Sequence, residues 1–475
     1  MKKITLTESQ QTVLNNSIPI LISSPTLLIN GSAGTGKTTL TYYLINKYIN
    51  HFSLTNTFIF FTAPTNKAVD VLRNSISSKP SIPRTKFLYK TIHSLLNLKR
   101  IVLDDGTIEF KPMTPNPNHY FLKKTSLIII DEASMLSSEL LSYINELIAS
   151  YSQLKVIFLG DEKQINPVNE LSTPTFNSNI PTLTLTEIVR QSSDNPIIKL
   201  SQNYHNIISL HNDNIIPTST SIAIPQNILN NNTFLNTTIN KKGYLFTNNI
   251  IPIVKLLTLS SSKHFPYSIK YLAWTNKDVD YINNTVRCVK YNTLHPDYIY
   301  PKETIIMKSS YKDIYHTGKE VLINTLSTKD VTNTINLLTS NSNNIDIKIP
   351  NSISSNVRIE SNKLVITLPC YIINSICKVV HNSAYYMLLN IKNFLKSILI
   401  NKKLIIWQSY YNFIEEFADI TYSYAITVHK AQGSTYNYVI VNYKDIISNT
   451  KKEEVDRLLY TGITRASDIV ILYNT

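Results

Sequence analysis

The stretch Ile29-Asn30-Gly31-Ser32-Ala33-Gly34-Thr35-Gly36-Lys37-Thr38-Thr39-Leu40 decides how the rest of this 475-residue chain is read. An apolar run from Thr26 to Asn30 breaks into a glycine-rich loop and then into helix-forming residues. That order predicts a phosphate-binding P-loop. The glycines let backbone N–H groups turn inward around phosphates, and the following helix aims its positive dipole end at them. Lys37 reaches the β/γ oxygens and Thr38 ligates Mg²⁺. With only 9 glycines in the chain, such a match arises by chance in on the order of a few per thousand chains of this kind. Three of the nine stand in this loop, so the conformational freedom of glycine is concentrated where a ligand needs a close backbone approach.

The composition sets outer bounds. At this length and 43% hydrophobic content the chain can bury real cores, and two or more domains are expected. Lys+Arg 46 against Asp+Glu 32 gives a net charge of +14, which favours a polyanionic partner such as nucleic acid. Cys288, Cys370 and Cys377 form no C-x-x-C pair, so neither a zinc site nor a disulfide framework is expected, and an intracellular, reducing compartment is implied. Polar residues from Thr5 to Gln11 follow Met1-Lys2-Lys3, and no window of eighteen apolar residues exists. No signal peptide, secretion or membrane span is expected.

Taken in order, Leu6 to Gln11 opens a helix with Thr7 as its N-cap. Thr57 to Ala63 is a short apolar run of the kind buried in a parallel sheet. Pro64-Thr65-Asn66-Lys67 ends it and a helix follows from Ala68 to Ser75. In Thr91-Ile92-His93-Ser94, the histidine read alone is a hydrogen-bonded structural residue. Arg100 to Phe110 alternates around Asp104-Asp105-Gly106, a hairpin signal. Lys124 to Ile130 is an apolar strand delivering Asp131 and Glu132 at its C-terminal end, where parallel α/β sheets keep their ligands. Such a pair serves two tasks, one acid holding Mg²⁺ and the other orienting or deprotonating the attacking water. Leu154 to Asp161 is a third strand, and it brings Gln164 to where an amide senses a γ-phosphate; a plain structural turn is the other reading. Leu185 to Gln191 ends on Arg190. The polar, Asn-rich span from Tyr204 to Thr247 reads as a linker, Lys270 to Asn276 as the strand that starts a second α/β domain, and 291–415 as a small β module interrupting it.

LTESQ, GSAGTGKTT, APTNKA, TIHSLL, IIIDEASML, LGDEKQINPV, LTEIVRQ, AWTNKDVD, TVHKAQGST and LYTGITRA occur here in that order. Their order and spacing resemble those of superfamily 1 helicases, specifically the 1B branch that contains the RecD and Dda groups. The resemblance implies an α/β fold of two RecA-like P-loop domains with parallel sheets, the first built from residues 1–96 and 126–200 and the second from 201–290 and 416–475. Residues 97–125 would form a strand-separating pin and 291–415 an SH3-like β insertion.

By the same resemblance the cofactors are ATP and Mg²⁺. Gln10 reads adenine; Gly31, Ser32, Ala33, Gly34, Thr35, Gly36, Lys37, Thr38, Thr39 and Gly433 bind nucleotide; Thr38 and Asp131 hold the metal. Lys37, Glu132, Gln164 and the arginine fingers Arg190 and Arg465 form the catalytic set. Single-stranded DNA is contacted by Pro64, Thr65, Asn66, Thr91, His93, Thr275, Asn276, Thr427 and His429, which makes His93 a contact rather than a structural residue. Phe110 is the candidate for the pin's fork-splitting aromatic, with anchoring of the hairpin as its alternative task. The implied activity is 5′–3′ unwinding by a monomer acting on single-stranded and fork DNA, with replication proteins or a single-strand-binding protein as the partner class. An RNA or mixed-substrate helicase and a catalytically idle DNA-binding scaffold are the alternatives.

Lys37→Ala is expected to abolish ATP turnover while DNA binding stays largely intact. Comparable ATPase rates in the variant and the parent would refute the P-loop assignment.

Overall fold

The computed structural model describes residues 6–80, 85–103, 105–167, 170, 172–189, 195–212, 235–239, 242–260, 267–294, 298–312, 314–338, 347–360, 362–400 and 405–474. The chain forms two compact units. One comprises Met1–Leu98, Pro112–Val286 and Tyr424–Thr475, the other Lys99–Lys111 and Arg287–Ser423.

The first unit is α/β and holds two six-stranded sheets. In the first sheet the strands run in the order Thr85–Thr91, Thr57–Ala63, Thr125–Ile130, Lys155–Gly160, Thr26–Gly31, Thr182–Leu185. Every pairing in it is parallel. Successive side chains of a strand point to opposite faces, so an almost wholly apolar strand feeds two cores at once. Leu27, Ile29, Ile59, Phe61, Ile129 and Leu159 pack on one face with the helices Glu8–Ser23, Lys37–His51 and Asn66–Ser77. Leu28, Phe60, Ile128, Ile130 and Phe158 pack on the other with Leu141 and Ile144 of the helix Ser138–Ser150.

The second sheet has the order Ala425–Thr427, Ile269–Ala273, Tyr436–Asn442, Ala466–Tyr473, Lys242–Thr247, Leu235–Ile239. It is parallel except for the antiparallel pairing of its last two strands. Those two strands fall within 204–247, which the sequence reads as a linker. The cue is weak because Lys242–Thr247 carries only the short apolar run Tyr244 to Phe246 and becomes a strand through pairing with Ala466–Tyr473, more than 200 residues downstream.

The second unit contains a three-stranded sheet, Glu320–Leu322, Thr304–Met307 and Ile420–Tyr422, and an antiparallel sheet built on the long strands Leu326–Asn336 and Lys363–Ile373. It is not purely β. The helices Tyr385–Ile400 and Trp407–Glu415 pack Ile391, Leu395, Ile398 and Phe413 against Leu364, Ile366 and Leu368. The apolar spacing of the first helix was present in the sequence but lay between runs that read as strands. Arg287 and Glu303, both fully buried, form an ion pair with Nε to Oε1 at 2.7 Å, and the Arg287 guanidinium lies 3.5 Å from the Tyr422 ring centroid. This pairing satisfies two charges that would be costly to bury alone.

The strands Leu98–Val102 and Ile108–Pro112 form a separate two-stranded hairpin. Its turn is seated on the helix Trp407–Glu415. Tyr411 Oη donates to the Gly106 carbonyl at 3.1 Å, and Arg100 pairs with Glu415 and lies 4.5 Å from the Tyr411 ring centroid. Gly106 has φ +85°, and a Cβ there would come within 2.5 Å of the Trp407 ring, so only glycine fits. All three cysteines are unpaired, and among the described residues no helix is long and apolar enough to cross a membrane.

Candidate active site

The P-loop lies between the strand Thr26–Gly31 and the helix Lys37–His51. Gly34 and Gly36 take φ of 89° and 81°, the left-handed region that an L side chain resists. Lys37 Nζ donates to the carbonyls of Gly31 and Ser32, which holds its charge over the loop's concave side. A cavity of about 520 Å³ opens here. One wall comes from Ala33, Gly34, Gly36 to Thr39, Asp131, Glu132 and Gln164 at the C-terminal edge of the first sheet, while Gly31, Ser32 and Thr35 do not line it. The other comes from Gly433, Ser434, Thr435 and Arg465 on the side of the second sheet.

Asp131 and Glu132 follow the strand Thr125–Ile130 directly. Burial, with the charge of neighbouring Glu132 as a second cause, pushes the Asp131 carboxyl up to about 7, and Lys37 opposes the shift. A bound divalent cation would act in the same sense as Lys37. Glu132 has φ +53°, a conformation that costs a non-glycine residue and is tolerated where the surroundings impose it. Gly433, at φ +71°, approaches so closely that a Cβ would stand 3.7 Å from Glu132 Oε1 and 3.2 Å from Ala68 Cβ.

Arg465 is 4% exposed, and its guanidinium donates to the carbonyls of Thr461 at 3.1 Å and Ser434 at 3.5 Å and to Thr464 Oγ1 at 3.3 Å. These partners are neutral oxygens, so the cavity keeps a buried positive charge that suits an anion. Ser434 Oγ and Gln164 Oε1, also in the cavity wall, are buried without a hydrogen-bond partner. Cavity size, backbone N–H groups, Lys37, Arg465 and the Ser434 hydroxyl fit a nucleoside triphosphate, and Gln164 Oε1 can accept from a water beside it. Asp131 with the Thr38 hydroxyl fits Mg²⁺, which takes few protein ligands and relies on substrate oxygens and water.

Not every residue of the expected set converges. Gln10 does not line the cavity. It is 3% exposed, its Nε2 donates to the Thr35 carbonyl at 2.9 Å, and its Oε1 accepts the Thr7 N–H at 3.1 Å as part of a capping box. Each end of its amide makes a hydrogen bond to protein, which ties the first helix to the P-loop. Arg190 lies outside the described residues. Sequence reasoning passed over Asp161, Arg457 and Tyr460, whose side chains join the two walls. Tyr460 stood inside a quoted motif, but nothing local marks its partner 299 residues away.

The residues expected to touch nucleic acid share a geometry. Thr65, Thr91 and Thr427 are helix N-caps, accepting the backbone N–H of Ala68, Ser94 and Lys430 respectively. Thr275 accepts the Asp278 N–H at 3.2 Å and donates to Asp445 at 2.8 Å. In the first sheet Ala63 pairs with Thr91, and in the second Ala273 pairs with Thr427. Each sheet therefore presents two adjacent strand ends with a capped helix start, the same arrangement made twice. Pro64 and Asn66 flank Thr65, and Asn276 is exposed beside Thr275. Burial lowers the pKa of His93 and His429, opposed by Glu139 and Glu454, so both rings are neutral at pH 7 and can offer hydrogen bonds or stacking but no charge. Phe110, 44% exposed, shares a strand face with Ile108.

Fold and cavity define a P-loop nucleotide-binding protein of two parallel α/β sheets. An AAA-domain family model matches residues 5–206, and a UvrD-like helicase C-terminal domain model matches 422–473. The chain is similar to the uncharacterized protein R530 of Acanthamoeba polyphaga mimivirus, 29% identical over 92% of this chain and 93% of that one. It is 26% identical to the ATP-dependent DNA helicase dda of Enterobacteria phage T4 over 66% of this chain and 64% of that one. It is also 26% identical to the RecBCD enzyme subunit RecD of Buchnera aphidicola over 94% of this chain and 70% of that one. These matches make the chain similar to superfamily 1B helicases of the RecD/Dda type.

Gln10→Ala is expected to weaken ATP binding by loosening the loop, at a cost of about 1 kcal/mol for the lost hydrogen bond to Thr35, while the preference for ATP over GTP stays unchanged. A selective loss of ATP preference in competition assays would return Gln10 to the adenine.

Proposed function

We propose that the protein is an Mg²⁺-ATP-dependent DNA helicase that moves 5′ to 3′ on single strands and opens duplexes by coupling hydrolysis to closure of its two sheet-bearing halves. The observation that carries this reading is the cavity with walls from both sheets, Lys37, Asp131, Glu132 and Gln164 on one side and Gly433 to Thr435 with Arg465 on the other. A triphosphate held there meets its full set of cations only when both walls are in place. Turnover then becomes conditional on their approach, and stepping follows.

Within that site Lys37 and the loop N–H groups hold the β and γ phosphates, and Glu132 accepts the proton of the attacking water. Gln164 orients that water, and Arg465 stabilises charge on the transferring group. Bound Mg²⁺, held by Thr38 and Asp131, would neutralise charge on the β and γ oxygens. Arg190 is proposed as a second finger on the grounds of resemblance alone.

Single-stranded DNA would lie across the paired strand ends at Thr65, Thr91, Thr275 and Thr427. Capped helix starts and small polar side chains suit phosphates regardless of sequence, and neutral His93 and His429 suit sugar or base contacts. Affinity should fall as salt rises. The phage T4 relative, named an ATP-dependent DNA helicase, supports DNA as the substrate, and polarity is taken from the 1B branch. Residues 1–96 with 126–200 and 201–290 with 416–475 are proposed as the two RecA-like domains, with 97–125 as pin and 291–415 as SH3-like insertion. The hairpin's tip is covered by Trp407, so its fork-splitting surface would be the exposed strand face of Ile108 and Phe110. We place the protein at an intracellular replication site, acting as a monomer on fork DNA.

With Mg²⁺ and ATP, duplexes carrying a 5′ single-stranded DNA tail should open, and 3′-tailed or all-RNA versions should not. Opening from the 3′ tail would overturn the direction, and ATP hydrolysis without opening of any substrate would overturn the helicase reading. Phe110→Ala should lower the base pairs opened per ATP with DNA-stimulated ATPase retained. Undiminished opening would return Phe110 to a structural task in the hairpin.

A further inference from the structure

The helix Lys452–Ile463 reaches the first-sheet wall of the cavity through two side chains. Tyr460, 2% exposed, donates its hydroxyl proton to Asp161 Oδ2 at 2.7 Å and accepts the Ala33 N–H of the P-loop at 3.4 Å. The same carboxylate oxygen accepts Gln164 Nε2 at 3.4 Å, while Asp161 Oδ1 accepts the Lys163 N–H at 3.1 Å. Three residues before Tyr460, and so on the same helix face, Arg457 donates from Nη1 to the Gln164 carbonyl at 3.0 Å and to the Glu162 carbonyl. The segment Asp161 to Gln164 is thus gripped at a side chain and at its backbone by one helix from the other half of the site.

Asp161 is 2% exposed, and a buried carboxylate keeps its place only while donors satisfy it. With the Gln164 amide nitrogen committed to Asp161, its Oε1 is the free end, an acceptor with no protein partner in the cavity wall. That is the polarity required to take a hydrogen from an attacking water. The ring of His205 stands edge-on to Tyr460 with centroids 6.0 Å apart and limits the ring's freedom. Arg465 follows the same helix by two residues, so the finger and the grip move as one piece.

We propose that Tyr460 and Arg457 are positioning residues. Through Asp161 they orient the Gln164 amide, and with it the γ-phosphate end of the site, only while the helix Lys452–Ile463 is docked. The inference rests on the helicase reading and deepens it. Neither residue touches the nucleotide in this scheme, yet together with Ala33 they tie the P-loop, the Asp161 turn and the second half into one hydrogen-bonded chain. Withdrawal of the helix would remove Tyr460 from Asp161 and Arg457 from the Gln164 backbone at once, and would leave the water unoriented even with ATP bound.

The test is DNA-stimulated ATPase on the full chain. Tyr460→Phe keeps the ring and removes the hydroxyl. It should lower kcat about tenfold while KM for ATP stays within about twofold, with an unchanged melting temperature. Asp161→Asn should produce a similar loss, and the double variant should be no worse than either single one, because both break the same chain. Arg457→Lys should recover part of the kcat that Arg457→Gln loses. Wild-type kcat in Tyr460→Phe, additive losses in the double variant, or a fall in melting temperature that parallels the kcat loss would each overturn the proposal. A wild-type protein without ATPase would remove the helicase reading itself, whereas an active wild type with indifferent variants removes only this inference.

Discussion

A triphosphate can be held and cut only where cations and N–H donors converge on oxygens that have been taken out of bulk water, and every feature of the first unit follows from that demand. The parallel sheets bring their strand ends to one edge, so the glycine loop, Asp131, Glu132 and Gln164 arrive together from segments spread over more than a hundred residues. One wall alone leaves the γ end open. The second sheet supplies Arg465, whose hydrogen bonds to neutral oxygens leave its charge available to an anion.

Local strain is spent at the same place. Gly34, Gly36 and Gly433 take left-handed backbone, and so does Glu132, a residue whose side chain makes that conformation costly. Gly36 also clears the space into which Gln10 reaches; a Cβ there would sit 2.5 Å from Gln10 Nε2. The capping box at the first helix and the shape of the P-loop are therefore one device. The strand ends at Thr65, Thr91, Thr275 and Thr427 repeat the logic in a milder form, with capped helix starts in place of glycines.

The second unit works by different physics. Its hairpin is short and two-stranded, marginal by itself, and gains its rigidity from aromatic packing of Gly106 under Trp407 and from Arg100 between Tyr411 and Glu415. With its tip fixed, the hairpin leaves Ile108 and Phe110 on its exposed strand face.

What the sequence by itself determined is whatever is encoded over a few consecutive residues. The P-loop, the strand running into Asp131 and Glu132, the Asp105-Gly106 turn and the Thr7 N-cap were all legible, because backbone freedom, capping and apolar runs are local chemistry. Tertiary structure alone decided the others. Lys242–Thr247 is a strand only because Ala466–Tyr473 offers it a partner, and the helix Tyr385–Ile400 is held by the sheet it covers. Gln10 braces the P-loop through hydrogen bonds of its amide with Thr35 and Thr7, a contact that folding creates. Tyr460 and Arg457 meet Asp161, Glu162 and Gln164 across almost 300 residues of chain. A hydrogen bond over that separation leaves no trace in periodicity or spacing, since its partners are chosen by where folding brings two helices and a sheet together.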